Sequence, residues 1–228
     1  MARNKYPEET IQKILDTAEQ LFIEKGYDHA SLQDIIETTG LSKGAIYHHF
    51  ASKEDMFYAV CDRIEQRNYE ILLDVRNNAS LNGLEKLQAI FKASLQPERQ
   101  AKMFCMMPCL LENPRFLAAE MQSIFKEVVP IFAEPIIRQG IADGSIDTEH
   151  PKELAEAMIL LSDIWINPII QPTTEEQIEA RCAVYNRLLN SFGIPEMIDG
   201  EAVKILMHYA SLARRPPLVQ KKGGAGDA

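Results

Sequence analysis

At 228 residues the chain has room for one larger domain or two small ones, and with 46% hydrophobic residues it can bury a sizeable core. It has no apolar run long enough to cross a bilayer, and no apolar stretch follows the polar, basic opening Met1–Tyr6 as in a secretory signal, so a soluble, cytoplasmic protein is expected. A net charge of −9 argues against nucleic acid as a partner, but the charge is unevenly placed. Residues 1–60 carry six Lys/Arg against ten Asp/Glu, yet no acid stands between Thr38 and Lys53, a window holding Lys43, His48, His49 and Lys53.

The periodicity is helical almost throughout, which predicts an all-α fold. Pro7, with Glu8 and Glu9 behind it, opens a first helix whose apolar stripe is Ile11, Ile14, Leu15, Ala18, Leu21 and Phe22, ending at Gly26. Ser31 and Asp34 form the capping-box pattern of a second helix, broken by Gly40. Ser42 caps a third, very short helix. Ser52 with Asp55 opens a long fourth, striped by Met56, Phe57, Val60, Cys61 and Ile64.

Helices continue beyond residue 78. Asn82-Gly83 predicts a turn, followed by a helix over Leu84–Leu95, and Pro97 and Pro108 bracket a short one. Pro114 opens a segment running to Gly140 that Pro130 and Pro135 should bend or split. Asp143-Gly144 is a turn. Pro151 opens a helix with Leu154, Met158, Leu161 and Trp165 on one face. Thr174 and Gln177 cap another with Ile178, Cys182, Tyr185, Leu189 and Phe192 on one face, and Asp199 caps a last helix ending near Ala213. The Pro-, Gly- and Lys-rich tail 214–228 is expected to be disordered. The predicted division is a three-helix helix-turn-helix unit over 1–60, a helical bundle over 61–213, and the tail.

Two short helices joined through Gly40 form the unit that lays its second helix in the DNA major groove. At 100° per residue, an inward Ala45, Ile46 and Phe50 leave Lys43, Gly44, Tyr47 and His48 outward, with His49 at the border. Lys43 suits a phosphate or a guanine edge. Gly44 lets the backbone approach closely. Tyr47 suits a phosphate or a thymine methyl, and His48 a base or phosphate. Ser31, Ser42 and Lys53 stand at helix N-termini, which favour phosphate. Arg3 and Lys5 suit a flexible arm in the minor groove.

The run Ser31-Leu32-Gln33-Asp34-Ile35-Ile36, then Thr39-Gly40-Leu41-Ser42-Lys43-Gly44-Ala45-Ile46-Tyr47-His48-His49-Phe50, then Ser52-Lys53-Glu54-Asp55-Met56-Phe57, resembles the DNA-binding domain of TetR (tetracycline-repressor-like) regulators. The ending Glu24-Lys25-Gly26-Tyr27 of the helix before it matches as well, and the close likeness covers about residues 8–68 around the motif at 31–50. The resemblance implies a homodimer that binds a duplex operator and usually represses, releasing DNA when a small-molecule effector enters the C-terminal bundle. It places Ser42, Lys43, Gly44, Tyr47, His48, His49 and Lys53 on DNA-contact positions, and Ser31 on a helix start that often touches phosphate. No catalytic residue, metal or cofactor is implied.

In the bundle, the helix over 151–167 is apolar around much of its circumference, and Val184 and Leu188 add an apolar edge to the helix over 175–192. Together they resemble the family's dimer interface; a plain two-sided core is the alternative. Met103, Phe104, Cys105, Met106, Met107 and Cys109 give an adaptable apolar surface. With Phe116, Phe125 and Trp165 they predict an apolar or amphipathic effector pocket, against the alternative of simple core, and Met103, Phe104, Met107, Phe116, Phe125 and Trp165 are its candidates. Cys105 and Cys109, four apart, share a helix face if Pro108 permits one and then suit a soft metal or an oxidant; no third ligand is evident, and core thiols are the plainer reading. The rival functions are an activator or an effector-independent regulator of the same fold, an enzyme on a helical bundle, which no nucleophile–base pair, phosphate loop or HExxH motif supports, and a protein-interaction module.

Overall fold

A computed structural model describes residues 7–96, 118 and 121–213, and every element among them is a helix. The arm residues Arg3 and Lys5, the candidates Met103, Phe104, Met107 and Phe116, the Cys105/Cys109 pair and the tail 214–228 lie outside the described residues.

The elements are α1 (Pro7–Lys25), α2 (Leu32–Thr39), α3 (Lys43–His49), α4 (Lys53–Asn77), α5 (Gly83–Ser94), α6 (Ile124–Ala133), α7 (Glu134–Asp143), α8 (Pro151–Leu160), α9 (Leu161–Ile166), α10 (Glu175–Ser191) and α11 (Gly200–Ala213). Caps set most of the boundaries. Ser31 and Asp34 at α2, Asn82 and Glu85 at α5, and Thr174 and Gln177 at α10 each exchange reciprocal bonds between side chain and backbone. Ser52 caps α4 by accepting from the Asp55 N–H, and Asp199 accepts from the Ala202 N–H at the start of α11. Asn82-Gly83, expected as a turn before a helix at Leu84, is instead the cap and first residue of α5.

The segment expected to bend or split around Pro130 and Pro135 changes its winding there. Helix α6 is wound as a π-helix and passes into the α-helical α7 with no intervening loop. Pro130 has no N–H to donate and its ring crowds the preceding turn, and a widened turn accommodates both. Gly140 does not end this element; the helix continues to Asp143 and stops at left-handed Gly144. Gly140 is instead a point of backbone contact. A Cβ on Gly83 would lie 2.3 Å from the Gly140 Cα, and one on Gly140 would lie 2.5 Å from Ile146 Cδ1. The start of α5 therefore touches α7 backbone to backbone.

The apolar residues form two buried clusters. The first takes Ile14, Leu15, Ala18, Leu21 and Phe22 from α1, Ile35 from α2, Ile46 from α3, and Met56, Phe57, Val60 and Cys61 from α4. One distant member, Ile169, comes from the loop between α9 and α10. The second runs from Leu87 on α5 to Ala210 on α11, through Ile136, Ile137, Leu154, Met158, Ile178, Tyr185 and Leu189. Of the four cysteines, Cys61 and Cys182 are buried and in no disulfide, and burial pushes the Cys182 thiol up to about 11. Helix α4 spans from one cluster to the other. Lys86, only 4% exposed, clamps its far end: its ammonium donates to the Arg76 carbonyl at 2.6 Å and to Gln139 Oε1 at 2.7 Å. Among the described residues no helix is long and apolar enough to cross a membrane.

Candidate nucleic-acid interface

Seven residues make a marginal helix in isolation, so α3 must be held by what surrounds it. The Ser42 hydroxyl accepts from the Ala45 N–H at 3.2 Å, and at the other end the Phe50 N–H donates to the Ile46 carbonyl at 3.0 Å. Ile46 and Phe50 are buried in the first cluster, and Leu41 packs against it. The turn from α2 into α3 passes through left-handed Gly40, a conformation that costs a residue with a Cβ about 1–2 kcal/mol. Thr39 secures it from below: its buried hydroxyl donates to the Ile35 carbonyl at 2.7 Å and accepts from the Leu41 N–H at 3.3 Å.

With one side of α3 spent on the core, the other is free. Ser42, Lys43, Gly44, Tyr47 and His48 are exposed, and His49 is half-buried at the edge. Tyr47 keeps 43% of its surface accessible, a large value for an aromatic residue in a folded domain. The Lys43 ammonium lies 5.5 Å from the centre of the Tyr47 ring, and the His48 and His49 rings meet edge to face at 5.1 Å. At Gly44 an added Cβ would meet nothing within 4 Å, so the protein's own packing does not require glycine there.

Two outward candidates are engaged within the chain. The Ser31 hydroxyl and N–H both bond Asp34. The Lys53 ammonium donates to the carbonyls of Tyr27 and Ala30 at 2.8 and 3.1 Å and lies 4.1 Å from the centre of the Tyr27 ring. It ties the start of α4 to the α1–α2 loop. Sequence reasoning missed this tie; its signal was a tyrosine directly after the capping Gly26, where the ring can cover a cation.

Further ion pairs fix α2 and α4 on α1. Lys25 pairs with Asp34 at the start of α2. That bond, with those from Ser31, holds the Asp34 carboxyl well below the usual carboxylate range. Across α1, Glu19 is 7% exposed and receives both Arg63 and Arg67 of α4, and Arg63 also reaches Asp16 at 2.7 Å. Asp16, Glu19 and Asp34 are thereby paired within the unit, and α3 itself carries Lys43 and two imidazoles with no acid.

The sequence profile of bacterial regulatory proteins of the tetR family matches residues 14–60, which take in the later part of α1, all of α2 and α3, and the start of α4. The transcriptional repressor AcnR of Corynebacterium glutamicum is 30% identical over 159 residues, which cover 67% of this chain and 77% of that one. The chain belongs to the TetR family. It is a DNA-binding transcriptional regulator and not an enzyme. A transcriptional regulator from Cytophaga hutchinsonii shares the fold with a TM-score of 0.63 at 16% identity, over 90% of this chain and 97% of that one. A putative transcriptional regulator from Saccharomonospora viridis, solved in complex with choline, has a TM-score of 0.58 at 19% identity, over 80% and 96%. These likenesses extend the TetR fold over the bundle as well as the matched residues.

The effector candidates within the described residues stand apart in character. Phe125 on α6 is 44% exposed. Trp165 on α9 is half-buried against the second cluster, its carbonyl accepts from Arg181 at 2.8 Å, and the guanidinium lies 5.7 Å from its ring centre.

Proposed function

We propose that this TetR-family regulator is a repressor that binds a palindromic operator as a homodimer and is released by a small apolar or amphipathic effector. The observation that carries the DNA-binding part is the α3 face: five exposed residues, 42, 43, 44, 47 and 48, with no acid among them, on a helix whose other side is locked into the core. Lys43, Tyr47 and His48 are assigned to groove edges and phosphates, Gly44 to the closest approach, and Ser42 and Ser31 to flanking phosphates. His49 borders the face, and Lys53 supports it from behind. Residues 1–60 form the reading head and 61–213 the effector and dimer unit.

A single recognition helix covers only a few base pairs, and two-fold pairing sets two of them one DNA turn apart, about 34–36 Å. An uncovered ridge supports the pairing. Val184 and Leu188 on α10 and Phe192 at its C-cap lie four apart in sequence and are 48%, 42% and 54% exposed. Support for an effector comes from the choline-bound structural relative and from Phe125, a large aromatic side chain left uncovered on α6. Binding would shift the dimer toward a recognition-helix spacing the operator does not fit.

The test is selection of bound genomic fragments, followed by titration of the recovered site at fixed salt. Tyr47→Ala is expected to weaken operator binding about ten-fold or more while leaving the melting temperature unchanged. Sedimentation should show a dimer. Undiminished binding by Tyr47→Ala would refute the assignment of the face.

A further inference from the structure

The loop between α9 and α10 carries two adjacent isoleucines, Ile169 and Ile170, after Asn167-Pro168. Apolar pairs in a connection normally mean burial against something else. Here the something is the reading head: Ile169 is 8% exposed and belongs to the buried cluster built from α1–α4, and Ile170 packs against the same cluster. More than a hundred residues separate them from any other member.

The loop is stiff on its other side. Asn167 Oδ1 accepts from the Ile169 N–H at 3.0 Å, and the Asn167 carbonyl accepts from the Gln171 N–H at 3.0 Å. Arg181 of α10 donates to the carbonyl of Trp165 at 2.8 Å and reaches that of Gln171 at 3.5 Å. Ile169 is therefore held by α9 and α10 while its side chain completes the core of the head. Among the described residues, the head is joined to the bundle through α4 and also through this loop.

We propose that the 167–171 loop is a strut that fixes the orientation of the reading head, with Ile169 as its positioning residue. Helix α10 carries the ridge assigned above to the dimer, so on that reading the strut refers each recognition helix to the two-fold axis through α10. A body rearrangement that tilts α9 against α10 withdraws Ile169 and frees the head to pivot on α4. Operator affinity then falls by the fraction of molecules whose heads stay aligned.

The test uses the full chain with spin labels on keto amino acids at exposed Glu37 of α2 and Lys204 of α11. Labelled chains are diluted with unlabelled ones, so that the distance is read within one chain and does not depend on dimerisation. In Ile169→Ala the distance distribution is expected to broaden and operator affinity to fall about ten-fold. Arg181→Ala, which leaves the head's core intact, is expected to broaden the distribution without lowering the head's melting temperature. A residue that only filled the head's core would lower that temperature and leave the distribution as narrow as in the parent. That result in Ile169→Ala, or in Arg181→Ala should the first variant not fold, overturns the proposal. Sedimentation of the parent tests the dimer separately: a monomer would sink the reading of the ridge and leave the strut standing.

Discussion

Gly44→Ala separates the needs of the protein from the needs of its DNA. Glycine inside a helix costs roughly 0.5–1 kcal/mol relative to alanine, and at Gly44 the added methyl meets no protein atom within 4 Å. The free protein should therefore gain up to about 1 kcal/mol, which at this size raises the melting temperature by about 2–4 °C. On the operator the same methyl would enter the space that lets the α3 backbone approach the duplex. A loss of about 1.5–3 kcal/mol, on the scale of one good base contact, corresponds to roughly ten- to a hundred-fold weaker binding. The assay pairs a thermal melt with a fluorescence-anisotropy titration on the selected operator at one salt concentration. A raised melting temperature with unchanged affinity would refute the claim that the α3 backbone makes the closest approach.

Two further outcomes bear on the scaffold. Gly83→Ala places a methyl 2.3 Å from the Gly140 backbone, which has no side-chain freedom to yield, so a loss of about 1–3 kcal/mol is expected in urea unfolding. Asp34 is held ionised by Lys25 and Ser31, so its contribution is fully present above the ordinary carboxylate pKa of about 3.9 and is lost as pH falls toward its depressed folded value. The melting-temperature gap between the parent and Asp34→Asn should therefore be widest near neutrality and close in acid, and a gap constant down to about pH 3 would contradict the ion pair's role.

The reading head was legible because its signals are local. Caps at Ser31, Ser42 and Ser52, the left-handed Gly40, and an apolar period of three to four residues each act within one or two turns, and they agree with one another. Contacts formed between distant stretches escaped. Nothing near Gly83 announces that its partner is Gly140. Nothing near Lys86 says that a charged side chain will be buried on the end of α4. Ile169 lies in a segment that propensity marks only as a turn; the clue was the apolar pair itself, too greasy for a solvated loop. The π winding of α6 shows the same limit in another form: a proline reports a lost hydrogen bond but not whether the chain answers by kinking or by widening its turns.

Lys53 shows how the two kinds of information meet. By position it stands at a helix start facing the expected phosphates, yet its ammonium is spent on the carbonyls of Tyr27 and Ala30 and on the Tyr27 ring. Hydrogen bonds to a charged group contribute about 1.5–3 kcal/mol when partly shielded, and a surface cation over an aromatic ring about 0.5–1 kcal/mol. Swinging out to a phosphate would forfeit both for a contact that salt screens. Lys53→Met keeps the stem and removes the charge. As a staple, it should lower the melting temperature and leave the slope of log affinity against log salt unchanged, any loss of binding being the same at every salt concentration. As a phosphate contact, it should leave the melting temperature alone and flatten that slope by about 0.9 per head. The second pattern would return Lys53 to the DNA, and with it the premise that the α1–α2 loop is fixed by this ammonium.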